Sequence, residues 1–143
     1  MSKVINSFTG EYFFLSNFYQ SPVEYDGIVY QNSEAAFQAQ KCIDKADREQ
    51  FAYLDPSQAK FTGRSVQLRG DWEQVKFGIM KDIVRAKFVQ SPEIAQKLLD
   101  TGDALLEEGN TWGDRTWGTV RGVGANHLGK ILMEVRGEIR AKG

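Results

Sequence analysis

Asp26-Gly27 separates two β-prone runs, Val23-Glu24-Tyr25 and Ile28-Val29-Tyr30. Asp-Gly tolerates the positive φ angles of a type I′ turn, whose twist matches that of the strands it joins. The segment is therefore read as a tight hairpin. The period then changes: Asn32 or Ser33 caps a helix expected from about Glu34 to Ala46. Ala35, Ala39, Cys42 and Ala46 make one small-residue stripe of that helix, and Glu34, Phe37, Gln38 and Lys41 its neighbour.

The remaining chain is read in the same way. The first thirty residues are expected to be β structure and turns, with a very aromatic run from Tyr12 to Tyr19 ending at Ser21-Pro22. A short helix over Asp47–Tyr53 is broken by Asp55-Pro56, and further helix leads to Gly63-Arg64. Asp71-Trp72-Glu73-Gln74 resembles a capping box. The helix it opens runs to about Phe88, with apolar residues around much of its circumference, as for a central buried helix. Ser91-Pro92 starts another helix, ended by Thr101-Gly102. Ala104–Glu107 is a strand candidate, Glu108–Gly124 a glycine- and tryptophan-rich loop, and Leu128, Ile131, Leu132, Val135 and Ile139 mark a last amphipathic helix. The fold class expected is α+β: one compact, mostly helical domain over residues 1–143 with a short β-sheet or hairpin. No repeat or linker suggests a second domain, and the length suffices for a substantial core.

Composition narrows the chemistry. Eighteen basic and nineteen acidic residues leave a net charge of −1, without a basic tract for generic phosphate-backbone binding. The single cysteine, Cys42, excludes an internal disulfide and multi-thiolate metal sites, and the single histidine, His127, excludes a histidine-rich metal centre. A reaction without metal or cofactor is expected. No apolar run reaches the roughly 18–20 residues that span a bilayer, and Met1–Asn6 lacks the apolar core of a secretion signal. A soluble, cytoplasmic protein with no membrane partner is expected.

Seven residues of helix return nearly to the starting azimuth, so Glu34 and Lys41 are expected on one line roughly 10 Å apart, above Phe37 and Gln38. Such a pair serves as acid/base and electrophile binder or Schiff-base nucleophile, or is an ordinary solvated face. In the loop, Trp112-Gly113 and Trp117-Gly118 flank Asp114-Arg115. The tryptophans either present aromatic faces to a planar ligand or fold back onto the core. Lys60 and Arg64 bind phosphate or complement a helix end. Gly122-Val123-Gly124-Ala125-Asn126-His127 starts like a dinucleotide fingerprint but lacks its third glycine and strand–turn–helix setting, so a Rossmann reading is rejected; Asn126 opens a helix that is able to receive a phosphate. Lys87 is read as a snorkelling helix residue, His127 as an ordinary helix residue and Cys42 as packing.

Taken together, the ordered blocks identify a resemblance. Phe14-Leu15-Ser16-Asn17-Phe18-Tyr19, Tyr30-Gln31-Asn32-Ser33-Glu34, Gln38-Ala39-Gln40-Lys41, Gly63-Arg64, Trp72, Lys87-Phe88, Leu106-Glu107-Glu108, Trp112-Gly113-Asp114, Trp117-Gly118 and Asn126-His127-Leu128-Gly129 follow one another as in the NADAR family of N-glycosidases. The resemblance covers nearly the whole chain. It implies hydrolysis of the N-glycosidic bond between a ribose phosphate or ADP-ribose and a nitrogenous base. Two substrate classes are implied: ribosylamino-pyrimidine 5′-phosphates, the early riboflavin intermediates, and ADP-ribose on guanine in nucleic acid. By position, the resemblance implies Glu34 as catalytic acid, Lys41 as the lysine that traps the opened sugar as a Schiff base, and Asp114 with them. It implies substrate contacts from Asn17, Phe18, Gln38, Lys60, Arg64, Trp72, Trp112, Trp117, Gly118 and Asn126. Lys60 and Lys87 also fall in family blocks and stay open as the imine-forming lysine.

The chemistry agrees: breaking C1′–N develops positive charge on the sugar and needs a proton on the leaving base, both tasks for carboxyl groups. The near-neutral charge favours a small nucleotide-like substrate over modified nucleic acid. The rival class is a non-catalytic module that binds NAD or ADP-ribose derivatives.

Overall fold

Asp26 and Gly27 both have left-handed backbone, with φ of 51° and 84°, and the expected hairpin closes around them with Tyr25 opposite Ile28. The computed structural model describes residues 3–143; Met1 and Ser2, part of the segment read for a secretion signal, lie outside the described residues. In chain order the elements are β1 (Val4–Ile5), a 3₁₀ helix (Gly10–Leu15), β2 (Gln20–Tyr25), β3 (Ile28–Asn32), α1 (Ser33–Ala39), α2 (Lys45–Glu49), α3 (Pro56–Gly63), α4 (Trp72–Val89), α5 (Pro92–Asp100), β4 (Leu105–Leu106) and α6 (His127–Lys142). Helices dominate and the sheets are small, the α+β class expected. The chain divides into two compact units, Asn17–Gln90 and a second built from the N-terminal stretch through Ser16 with Ser91–Gly143.

In the Asn17–Gln90 unit, β2 and β3 pair antiparallel, with an extra residue on β2 between Gln20 and Val23. Pro22 lies in this bulge, where a missing N–H breaks no ladder bond. Val23 and Tyr30 form a cross-strand pair and are fully buried. Asn32 caps α1: its Oδ1 accepts from Ala35 N at 2.7 Å and its Nδ2 donates to Leu54 O at 3.1 Å. Ala35, Ala36 and Ala39 are buried without accessible surface, so neighbouring elements approach the α1 backbone closely.

The helix expected to Ala46 stops at Ala39. Gln40, Lys41 and Cys42 instead donate to carbonyls three residues back, a 3₁₀ tightening. Their own carbonyls are taken from outside: Gln40 O and Lys41 O by the Arg69 side chain and backbone N–H, Cys42 O by Arg48 Nε. With those acceptors occupied the helix has nowhere to continue. The short helix expected over Asp47–Tyr53 forms earlier, at Lys45–Glu49, and Ala46 belongs to it, exposed and off the small-residue stripe.

Asp71 does not cap α4. Its carboxylate is held by Arg69, Nε–Oδ1 2.6 Å and Nη2–Oδ2 3.1 Å. The capping box forms at α3 instead, where Asp55 and Gln58 exchange bonds of 2.8 and 3.0 Å. α4 is also not buried all round. Trp72, Met80, Ile83, Val84, Lys87 and Phe88 are buried, while Glu73, Gln74, Gly78 and Asp82 are exposed.

In the other unit, β1 and β4 form a parallel pair, Val4 opposite Leu105 and Ile5 opposite Leu106. The segment before residue 16 also contains the 3₁₀ helix Gly10–Leu15, which the β-and-turn expectation did not include. Leu98 of α5 and Leu128, Leu132 and Val135 of α6 are buried in this unit's core. The expected strand over Ala104–Glu107 shortens to Leu105–Leu106. Among the described residues no helix is long and apolar enough to cross a membrane.

Candidate active site

Glu34 stands in the first turn of α1, and its N–H donates to Asn17 O at 3.1 Å. Four residues on, Gln38 donates from Nε2 to Glu34 Oε2 at 2.7 Å. This i,i+4 bond orients the carboxyl group along the helix. Gln38 is itself only 7% exposed, and its Oε1 has no hydrogen-bond partner. That amide lies against Gly63, where a Cβ would collide with the Gln38 side chain.

Lys41 sits just past the C-cap of α1, on the 3₁₀ extension rather than on an ideal α-helical line. The straight-helix placement of Glu34 and Lys41 thus gives way to a tighter one. Lys41 Nζ lies 3.5 Å from Gly63 O and 6.0 Å from the centre of the Trp72 ring. Trp72 is buried and tilted against Phe37, with ring centres 5.0 Å apart. Burial pushes the Lys41 ammonium below the usual lysine range; Glu34 opposes that shift, and Arg64 and Lys76 reinforce it. A lowered lysine offers more neutral amine, the form that attacks a carbonyl. Lys76 was not legible as part of this group from sequence, because its three-residue spacing to Glu73 reads as a surface pair, and that pair forms at 2.7 Å.

Asn17, buried, donates from Nδ2 to Met80 Sδ at 3.4 Å, and its Oδ1 has no partner. The Ser33 hydroxyl, 1% exposed, also has none. Both atoms are closed off from solvent at the start of α1, where most buried polar atoms find a partner. From sequence, Ser33 reads as a candidate helix cap within the Tyr30–Glu34 block and Met80 as an apolar residue of the long helix, neither as a site residue. Phe18 and Lys60 are half-buried and Arg64 exposed in this same unit.

Lys87 does not snorkel. It is 1% exposed, with Nζ 5.7 Å from the Tyr19 ring centre and 5.2 Å from that of Phe88. Burial pushes its ammonium down to about 7. Cys42 is buried, and burial pushes its thiol up, away from nucleophilic use.

Asp114, Trp112, Trp117, Gly118 and Asn126 belong to the other unit. Asp114 Oδ1 accepts from Thr116 N at 3.0 Å and Trp117 N at 2.9 Å, while Asn110 holds the loop from inside through Asp114 N and O. Asp114 thus shapes the loop that carries both tryptophans. Trp112 is 63% exposed; Trp117 is half-buried, edge-on to His127 with ring centres 6.2 Å apart. Gly118 lies so close to Glu108 O that a side chain has no room. Asn126, left-handed with φ 54°, donates to Leu106 O and accepts from Glu108 N, fixing the entry to α6.

Glu34 on α1 and a depressed Lys41 just past its C-cap make a carboxyl–amine pair suited to acid/base and nucleophilic chemistry. The chain belongs to the NADAR domain family, whose profile matches residues 6–140. It is 40% identical over 137 residues to the Escherichia coli protein named N-glycosidase YbiA, covering 93% of this chain and 85% of that one. It is 39% identical over 132 residues to a protein of Nostoc punctiforme also named an N-glycosidase, covering 87% of this chain and 84% of that one. A riboflavin biosynthesis protein of Vibrio vulnificus is 39% identical over 131 residues, 89% of this chain but 35% of that longer protein. The NMR structure of Escherichia coli YbiA superposes with a TM-score of 0.87 at 39% identity, covering 99% of this chain and 88% of that one.

Proposed function

We propose that this chain is an N-glycosidase that releases the base from ribosylamino-pyrimidine 5′-phosphates, with Glu34 and Lys41 at its reacting centre. The observation that carries the proposal is the pairing of a carboxyl on α1, oriented by Gln38, with a lysine just past the helix end that is depressed by burial. Relatives named N-glycosidases, and one named for riboflavin biosynthesis, support the bond type and the substrate class.

In this reading Glu34 gives its proton to the leaving nitrogen as the C1′–N bond breaks and its electron pair departs with the base. Positive charge at C1′ is relieved by water, or the opened sugar's aldehyde condenses with the Lys41 amine, losing water to form an imine that hydrolysis later reverses. Lys60 and Arg64 neutralise the phosphate. Trp72, fixed by Phe37, forms an aromatic wall.

Incubation of the purified protein with ribosylamino-pyrimidine 5′-phosphate and, separately, with ADP-ribosylated guanine is read by mass spectrometry for free base. Release from the first substrate is expected to exceed release from the second. Faster release from ADP-ribosylated guanine reassigns the substrate, and binding of either without release makes the chain a binding module.

A further inference from the structure

Resting on the assignment of Glu34 above, we propose that Gln38 is the positioning residue of this site: wedged against Gly63, it fixes the protonation state and aim of Glu34 and does not itself contact substrate. Three observations carry it. First, Gln38 Nε2 lies 2.7 Å from Glu34 Oε2, a charge-assisted length. Second, the amide is buried, and its Oε1 has no partner, so its orientation is set at the nitrogen end alone. The reverse orientation would set two oxygens against each other unless Glu34 were protonated. Third, the amide is confined from behind, because a Cβ at position 63 would collide with it and push it aside. The Gly63 carbonyl in turn lies 3.5 Å from Lys41 Nζ, so one glycine backs both members of the pair.

Two consequences follow from an N–H donor on Oε2. It favours the ionised carboxylate, which makes the acid form a stronger proton donor to the leaving nitrogen. It also keeps any proton of the acid form on the opposite oxygen, so one defined oxygen delivers it. Lys41 and Glu34 act on one another electrostatically, and Lys41 also feels Arg64 after α3, Lys76 on α4, the last paired with Glu73, and the Cys42 thiol. All three cations stay in place when Gln38 alone is changed.

The test compares wild type with Gln38→Met, which fills the space without a donor, and Gly63→Ala, which displaces the amide without removing it. Glu34 is titrated by its carboxyl ¹³C shift, and kcat/KM is followed against pH. In variants that keep the wild-type circular dichroism and melting transition, the Glu34 titration is expected to move up by about one pH unit, the size of a lost charge-assisted bond. The kcat/KM limb that Glu34→Gln abolishes is expected to move with it, and kcat to fall about tenfold or more with KM nearly unchanged. A Glu34 titration that stays in place in a folded variant overturns the proposal, as does failure of both variants to fold, which makes Gln38 a packing residue. A wild type in which the titration responds as expected but no base is released overturns the glycosidase reading instead.

Discussion

Lys41 Nζ stands 6.0 Å from the centre of the Trp72 ring, just beyond the C-cap of the helix that carries Glu34. An aromatic face beside an amine withholds water while favouring the cation only weakly, and the net result here is a lysine below its usual range. Lys41 is therefore available as a neutral nucleophile at a pH where a surface lysine is not.

Borohydride added during turnover is expected to reduce an imine at Lys41 to a secondary amine, leaving the sugar attached there in a peptide mass map. Lys41→Arg keeps the positive charge but removes the nucleophile, and is expected to abolish labelling. Full activity in Lys41→Arg reduces Lys41 to an electrostatic partner and moves the search to Lys60 and Lys87.

Glu34→Gln preserves shape and removes the proton carrier. Turnover is expected to fall by about 10²–10⁴-fold, with substrate binding by calorimetry retained. An unchanged kcat would remove Glu34 from the chemistry.

Lys87 makes stability depend on pH. Its folded-state ammonium titrates at about 7, against 10.5 for an ordinary lysine. Between these values the unfolded chain binds the extra proton, so this group's contribution to stability rises with pH from about 7 to 10.5 and is flat outside that window. Lys87→Met is expected to raise the urea midpoint most near pH 7, by an amount worth several kcal/mol at the upper bound, and to lose that advantage towards pH 10. A pH-independent difference between the two proteins rejects this account.

The two loop tryptophans are expected to separate. Trp112 is 63% exposed, so Trp112→Ala is expected to leave stability within about 0.5 kcal/mol while weakening substrate binding about tenfold if it stacks on the base. Trp117 is half-buried against His127, and Trp117→Ala is expected to lower the melting temperature as well. Unaltered binding in both variants excludes the loop from the substrate site.

Two identical signatures show how far local sequence reaches. Asp55-Pro56-Ser57-Gln58 and Asp71-Trp72-Glu73-Gln74 both read Asp-x-x-Gln, yet only the first forms a capping box. The difference is Arg69, whose guanidinium takes both carboxylate oxygens of Asp71 and leaves none for the helix N–H groups. Lys87 tells the same story for burial: its spacing suits a snorkelling residue, but the aromatic rings of Tyr19 and Phe88 enclose it.

By itself the sequence determined whatever local backbone chemistry decides. Asp26-Gly27 required a hairpin because both residues tolerate positive φ, Asp55-Pro56 ended one helix ahead of the next, Ser91-Pro92 and Thr101-Gly102 bracketed α5, and apolar periodicity marked α6. The ordered motifs likewise carried the family and its candidate residues. Only the tertiary structure decided where α1 ends. No glycine or proline lies between Gln40 and Ala46, so nothing local stops that helix. Arg69, 29 residues along the chain from Gln40, captures the carbonyls of Gln40 and Lys41, and Arg48 takes that of Cys42. The same capture holds Lys41 on a 3₁₀ turn beside Gly63 and Trp72. Hydrogen bonds between residues far apart in the chain leave no periodicity to read, which is why the candidate residues were legible and their arrangement was not.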